Sequence, residues 1–554
     1  LARETLSDFF LANEGIKAGL VKWLERKAAG DDTGSLASWV RRARKDHGFP
    51  FATNTLQVWL QKNEPVYESA MSAFTPRAVK SKRAASESFA RSGSDLAKLS
   101  KREDFIVTSA VNNCAADPGF LSALERWREE RDGALVVNPI KYQNPTRKAV
   151  EESERPDRWW DVNLHPYLLE EEIRPHPLLS FMTMKAQATA HNPLPARLDG
   201  RTKARSAVFG HPQLAMRSVA TPQNKLPKLL YSSGAVTQPE YSETTAGDMG
   251  AFHHSLAGII AEVRDDRFHL REIVWDGECF IDLDRAYFAD RIEDAPSPAA
   301  LVMGDIHVGE TAQNVMDATF GEYGMVPVLQ PDRLVLHDLG NGTSVSPHEV
   351  NSRLTRAAQA RRGQTNLQFE LNSIAAWLDD LPEFEAGIHV IPSNHDEFLD
   401  RWLERGENGV ESENLALYHD LAAAMLRAED STGEFPVALE LALRNHALFD
   451  RSDVRFRRVD KPFQVEGVEL GMHGNRGSNG ARGSAAGFAR LGVRSMVGHS
   501  HSPAIWQGCY VVGTSSNYRL SYNKGPSSWF QTHGLVHANG YRQLVHMIDD
   551  AWHG

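Results

Sequence analysis

Five times between residues 301 and 501, a short apolar run ends in aspartate, asparagine or histidine. Leu301-Val302-Met303 leads into Gly304-Asp305-Ile306-His307, and Leu334-Val335-Leu336 into His337-Asp338-Leu339-Gly340-Asn341-Gly342. Ile388-His389-Val390-Ile391 precedes Pro392-Ser393-Asn394-His395-Asp396-Glu397. Val468-Glu469-Leu470-Gly471-Met472 precedes His473-Gly474-Asn475, and Ser495-Met496-Val497 precedes Gly498-His499-Ser500-His501. Apolar runs this short read as buried strands, and the glycine, proline and asparagine beyond them as loops. In open α/β sheets, ligands gather at the carboxyl ends of the strands. A lone histidine beside a strand is more often structural than a ligand. Five clusters in succession constrain the chain to an α/β domain with one shared polar site.

At 554 residues the chain is long enough for two to four domains. It is 41% hydrophobic and 24% charged, ordinary values for a globular protein, and no apolar run approaches the ~18 residues of a membrane span. The opening LARETLSDFF has no basic region followed by an apolar stretch, so no secretory signal is expected. Cys114, Cys279 and Cys509 are odd in number and match no zinc spacing. They read as reduced thiols of a cytoplasmic protein, with burial favoured over chemistry. The net charge of −11 is uneven: residues 1–103 carry 18 Lys and Arg against 12 Asp and Glu, leaving the excess of acid to the remainder. A basic N-terminal part suggests an anionic partner, with nucleic acid the first candidate and an ordinary solvated surface the alternative.

Residues 3–27 carry apolar positions at helical spacing, interrupted near Gly15. A second helix is expected from Ser35 to Gly48 and a short third one from Thr53, around Leu56, Trp59 and Leu60. With Arg41, Arg42, Arg44 and Lys45 beside the Gly-Phe-Pro-Phe turn, residues 1–75 resemble a helix-turn-helix DNA-binding unit, with a helical docking domain as the alternative. Residues 76–103 read as a basic linker. A βαβ start follows, with Phe105–Thr108 and Ala134–Val137 as strands around a helix at 118–131, opening an α/β domain over 104–296 of uncertain role. Asn112 and Asn113 stand at the end of its first strand, as turn formers in preference to ligands. The Pro- and Trp-rich stretch 155–230 yields no element assignment.

The ordered clusters resemble the calcineurin-like metallophosphoesterase superfamily, whose motifs run Asp-x-His, Gly-Asp-x-x-Asp/Asn, Gly-Asn-His-Asp/Glu, a lone His and Gly-His-x-His. Two departures occur: His337 and Ser393 stand where the second and third motifs have glycine. The resemblance implies a four-layer αββα sandwich over 297–554 and a two-metal site. One divalent ion would be held by Asp305, His307 and His501, the other by Asn394, His473 and His499, with Asp338 bridging. Carboxylate, imidazole and amide ligands suit Mn²⁺ as the first candidate, with Fe²⁺, Zn²⁺ or Mg²⁺ as alternatives. It further implies that His395 protonates the leaving oxygen while Asp396 orients its ring.

The segments His473–Gly477, Asn479–Ser484 and Tyr522–Trp529, with Thr108-Ser109-Ala110 and Trp159-Trp160-Asp161, look like phage-encoded members of that superfamily, a group that includes a nuclease acting in the first step of DNA transfer. The expectation is therefore a metal-dependent phosphoric diester hydrolase, a DNA nuclease of host-DNA degradation or DNA transfer. Related repair nucleases are dimers, so a homo-oligomer is compatible with it. The alternatives are an enzyme for a phosphoprotein or nucleotide, and a DNA-binding or assembly protein with secondary catalysis. Arg476, Arg482 and Lys524 are candidates for gripping substrate phosphate, against a reading as loop charges. Trp529 is a candidate for base stacking or for the core, and the arginines of a helical 347–380 insertion for DNA contact or a solvated face.

Overall fold

The computed structural model describes residues 6–28, 36–47, 56, 60, 83–85, 91–142, 159–184, 186–222, 225–264, 266–349, 351–406, 410–520 and 523–554. The protein is a mixed α/β structure that divides into two compact units. The first comprises Leu1–Pro195, Ala207–Leu214 and Ser232–Ala295; the second comprises Ala196–Ser206, Ala215–Tyr231 and Pro296–Gly554. The stretch 104–296, read from the sequence as one domain, therefore lends two segments to the second unit.

In the first unit, helices α1 (Leu6–Ala12) and α2 (Glu14–Ala28) break at Asn13 rather than at Gly15. The Asn13 side chain donates to the Phe9 carbonyl at 2.9 Å, and its backbone carbonyl accepts from Ile16 N at 3.0 Å, so this one residue serves both helix ends. Helix α3 (Leu36–His47) follows. Phe10, Leu20, Leu24 and Val40 bury a common core with Leu56 and Leu60. The 48–51 turn, the rest of the third helix and most of residues 76–90 of the 76–103 linker lie outside the described residues, while Gly93–Leu99 of that linker is helical.

The βαβ expectation corresponds to strands β1 (Asp104–Val111) and β2 (Ala134–Ile140), parallel with Phe105 opposite Ala134, around helix α4 (Pro118–Arg131). Asp117 caps α4 by accepting from Phe120 N at 2.8 Å, Pro118 occupies its first turn, and Asp132 ends it in the left-handed region. Antiparallel β3 (Ala257–Val263) and β4 (Phe268–Val274) complete the order β4-β3-β1-β2. Asn112 is tied into the turn at the end of β1: it accepts from Tyr142 N at 2.6 Å and donates to Asn113, whose φ is 63°.

Among the described residues, the second unit holds two sheets. In the first, β5 (Ala300–Val302), β6 (Leu334–Leu336), β7 (Ile388–Val390) and β8 (Val454–Phe456) run parallel and fully buried but for the end of β8. In the second, β9 (Val468–Glu469), β10 (Arg494–Val497), β11 (Ala504–Trp506) and β12 (Cys509–Val511) take the order β9-β10-β12-β11, extended by residues 215–219. Antiparallel β13 (Thr532–Val536) and β14 (Arg542–His546) extend the first sheet beyond β5. The sheets meet face to face at Gly534 of β13, where a Cβ would stand 2.3 Å from Met496 Sδ of β10. The insertion between the second and third motifs is helical, at Arg353–Arg361 and Leu367–Asp379. Its Arg356 is committed to Glu411 at 2.9 Å and to the carbonyls of Thr343 and Ser344, whereas Arg353, Arg361 and Arg362 are exposed.

Candidate metal centre

Strands β5 to β7 are only three residues long, yet their hydrogen bonding continues past the strand ends. Ile306 N, His307 N and Val308 N donate to the carbonyls of His337, Asp338 and Leu339 at 3.0, 2.8 and 3.0 Å. This lacing holds the polar residues in backbone conformations they would otherwise avoid. His307, Asp338, His499 and His501 have φ of 52°, 46°, 72° and 56°, the left-handed region that non-glycine residues rarely adopt. Such conformations persist where the surroundings over-determine them, and they concentrate at functional sites.

The loops bring Asp305, His307, Asp338 and His501 together, with one ligand atom from each within 4.8 Å of the others and all four residues buried. His501 Nε2 lies 3.0 Å from Asp305 Oδ2 and 3.1 Å from His307 Nε2. Asp338 Oδ2 lies 3.7 Å from His307 Nε2 and 3.3 Å from His473 Nε2, so one carboxylate oxygen faces two donor groups. On its second side, His473 Nε2 is 3.1 Å from Asn394 Oδ1, and the His473 and His499 rings are 5.2 Å apart. Glycines permit this closeness. A Cβ on Gly498 would lie 2.3 Å from Asp305 Oδ1, and one on Gly474 (φ 119°) would lie 2.9 Å from the Gly498 carbonyl.

Two carboxylates are thus buried among imidazoles, and no lysine or arginine pairs with either among the described residues. Burial opposes ionisation of Asp305, but His473 and His501 outweigh it and hold the carboxyl below its ordinary range. Asp338 is held well below that range: burial is outweighed by His473 and His395. His473 is pushed up to about 9, because Asp338 and Asp305 overcome its burial. Burial lowers His307 to about 3, which leaves its ring neutral and able to ligate. A buried carboxylate pair lacking a fixed cation fits a divalent ion, and carboxylate, imidazole and amide oxygen donors suit Mn²⁺, Fe²⁺ or Zn²⁺. The cluster can hold a metal ion.

His395 stands at the edge of this group, its ring 4.7 Å from that of His307. Its Nδ1 pairs with the Asn341 carbonyl at 2.8 Å, which fixes Nδ1 as the protonated nitrogen. The expectation that Asp396 orients this ring requires correction. Residues 393–397 form a helical turn (Glu397 N to Ser393 O, 3.0 Å), so consecutive side chains diverge. Asp396 instead accepts from Gly340 N at 2.8 Å and Ser393 Oγ at 2.7 Å, bracing the loop after β7 against the loop after β6. Ser393, a departure from the superfamily pattern, holds the Asp396 carboxylate from within the same loop. His337, the other departure, is fully buried and packs its ring 5.5 Å from that of His473.

Sequence reasoning missed the supports beneath Asp305. Gly304 N donates to His533 Nδ1 at 3.1 Å, His533 Nε2 meets Thr319 Oγ1 at 2.9 Å, and Ser515 Oγ donates to the Gly304 carbonyl at 2.7 Å. Nothing in their spacing distinguishes these residues from ordinary strand and turn positions. The candidate phosphate ligands separate. Arg476 pairs with Glu397 at 2.7 Å, while Arg482 and Lys524 are exposed. Of the N-terminal basic residues, Arg42 and Lys45 are exposed on α3; the side chains of Arg41 and Arg44 lie outside the described ones.

No family model matches the chain, and no solved structure matches it. Protein A1 of Escherichia phage T5 is 28% identical to it over 502 residues, which span 88% of this chain and 89% of that protein. No helix among the described residues is long and apolar enough to cross a membrane.

Proposed function

We propose that the chain is a metal-dependent phosphodiesterase that cleaves DNA, a phage nuclease acting in the host cytoplasm. In this reading the two sheets of the second unit are the inner layers of an αββα metallophosphoesterase sandwich. The observation that carries the reading is Asp338 Oδ2, buried between His307 Nε2 at 3.7 Å and His473 Nε2 at 3.3 Å. One carboxylate facing two donor groups is the arrangement that a two-ion site needs. The similarity to a phage protein along most of both chains supports the phage setting.

Asp305, His307 and His501 would hold one ion, and Asn394, His473 and His499 the other, with Asp338 between them. When bound, two such ions, Mn²⁺ as the first candidate, supply Lewis-acid polarisation of a phosphate and neutralise its charge. The chain's own residues do the rest. The Asn341 carbonyl holds His395 in one tautomer, so that Nε2 can carry the proton given to the leaving oxygen. Asp396 and Ser393 keep the His395 loop in register with the Asp338 loop. Arg482 and Lys524 are exposed cations available to the DNA backbone, as are Arg42 and Lys45 on α3.

Incubating the protein with supercoiled and linear DNA in Mn²⁺ or EDTA tests the reading. Cleavage in Mn²⁺ alone is expected; intact DNA under every condition would rule out the nuclease.

A further inference from the structure

A cavity of about 280 Å³ lies beside the candidate metal centre, lined among others by Lys225, Leu226, Tyr518, Arg519, Asn523 and Trp529. Trp529 joins the two: its ring meets the His501 imidazole edge-to-face, with centroids 4.1 Å apart. Among the described residues, two cations and no carboxylate line the cavity, in a chain whose net charge is −11. The local sign is therefore opposite to that of the molecule, as a site for an anion requires.

The cavity walls are tied together. Thr221 and Ser527 exchange both backbone hydrogen bonds at 3.0 Å, joining the 215–231 hairpin to the loop that carries Trp529. Thr221 Oγ1 bonds the carbonyls of Lys225 and Leu226 at 3.0 and 3.1 Å, closing the turn that presents Lys225. Asn523 donates to the Tyr518 carbonyl and to Ser527 Oγ, both at 3.0 Å. The hairpin comes from the part of the sequence that had no assigned role, and the fold delivers it to the unit that holds the metal-ligand series.

An indole beside two cations and an amide, without a carboxylate, matches a nucleobase with its flanking phosphate. A base inside a duplex has both faces covered by its neighbours, so a strand that reaches an aromatic wall must be unpaired there. We propose that this cavity holds one nucleotide of a single-stranded or frayed DNA segment next to the cleaved bond, with its base against Trp529 and its phosphate between Lys225 and Arg519. The proposal rests on the reading of the adjacent centre as a DNA phosphodiesterase. The shared ligand chemistry, a nucleoside phosphate, also occurs in free nucleotides, and the experiment separates the two sources.

Anisotropy of fluorescein-labelled oligo-dT and of a blunt duplex would be followed with the full chain in EDTA, where no turnover interferes, and with dTMP as competitor. Wild-type turnover of bis-p-nitrophenyl phosphate in Mn²⁺, measured alongside, reads the metal chemistry independently of the cavity. Lys225→Ala/Arg519→Ala replaces two exposed side chains and spares the core. It should weaken oligo-dT binding about 10-fold and flatten the log–log salt slope by about 0.7, the value for one phosphate contact on a single strand. Trp529→Ala should weaken it by about 10-fold and Trp529→Phe by under about 3-fold, with duplex affinity changed little. dTMP should compete far more weakly than unlabelled oligo-dT. Wild-type oligo-dT affinity in both the double variant and Trp529→Ala would overturn the proposal. So would equal losses for single strand and duplex, or dTMP binding as tightly as the oligonucleotide.

Discussion

Gly498→Ala tests the geometry of the centre without removing any ligand. The new Cβ would stand 2.3 Å from Asp305 Oδ1 and 3.3 Å from the His337 ring, where ordinary contact begins at 3.4 Å. The carboxylate must therefore retreat by about 1 Å, the shortfall from normal packing. It has no room to do so: Asp305 is fully buried, His501 Nε2 lies 3.0 Å from its other oxygen, and its backbone is fixed through Gly513 and Ser515. Overpacking of this kind costs about 1–3 kcal/mol in the ion-free protein. A carboxylate oxygen sits about 2.0–2.2 Å from a metal such as zinc, so a displacement of that size removes it from coordination. Thermal unfolding with and without Mn²⁺ reads both effects. At a hundred times its Kd, an ion stabilises the wild type by about 2.7 kcal/mol; Gly498→Ala should show little of that gain. Gly19→Ala on the exposed side of α2, with no atom within 4 Å of the new Cβ, should instead stabilise by about 0.5–1 kcal/mol. Wild-type Mn²⁺ affinity in Gly498→Ala would refute the account of how the two loops meet.

His395→Ala should keep the Mn²⁺-dependent rise in melting temperature while losing about 10²–10⁴ in turnover, and loss of the metal response instead would contradict its proposed role as proton donor. Asp338→Ala should lose both the metal response and turnover; Mn²⁺ binding at wild-type strength would remove it from the centre. Burial lowers His533 from 6.5 to about 3, so between those values the unfolded chain takes up a proton that the native ring refuses. Stability from this residue is thus complete above about 6.5 and declines as pH falls toward about 3, by on the order of 5 kcal/mol over the whole span. Urea midpoints from pH 7.5 to 5 should fall less steeply for His533→Gln than for wild type; equal slopes would contradict the assignment.

The parts of the molecule legible in the sequence were those governed by local pattern. Helix α4 was marked at one end by Asp117-Pro118 and at the other by Asp132-Gly133, and its limits coincide with the 118–131 expectation. Strands β5 to β7 were marked by apolar runs ending in glycine or polar residues. The interruption in the first helical stretch was placed at Gly15, because glycine is the usual breaker. The competing force was the Asn13 side chain, which satisfies Phe9's carbonyl where the helix stops. The orientation of His395 was missed for a different reason: its partner is a backbone carbonyl, at Asn341, and carbonyls leave no trace in residue type. The 215–231 hairpin could not be assigned because its strand pairs with β11, some 290 residues later in the chain, and long-range pairing has no local signature.

The proposed role of Asp338 is to serve, through one buried carboxylate, both ions of a metal-dependent enzyme for DNA phosphodiesters. Its most direct test is turnover of DNA, bis-p-nitrophenyl phosphate and a phosphopeptide in Mn²⁺, by wild type and Asp338→Ala. Wild type should hydrolyse DNA in Mn²⁺ and stop in EDTA, the phosphopeptide should be left intact, and Asp338→Ala should hydrolyse none of the three. DNA cleavage that survives EDTA or the Asp338→Ala substitution, or a wild type that cleaves the phosphopeptide but not DNA, would contradict it.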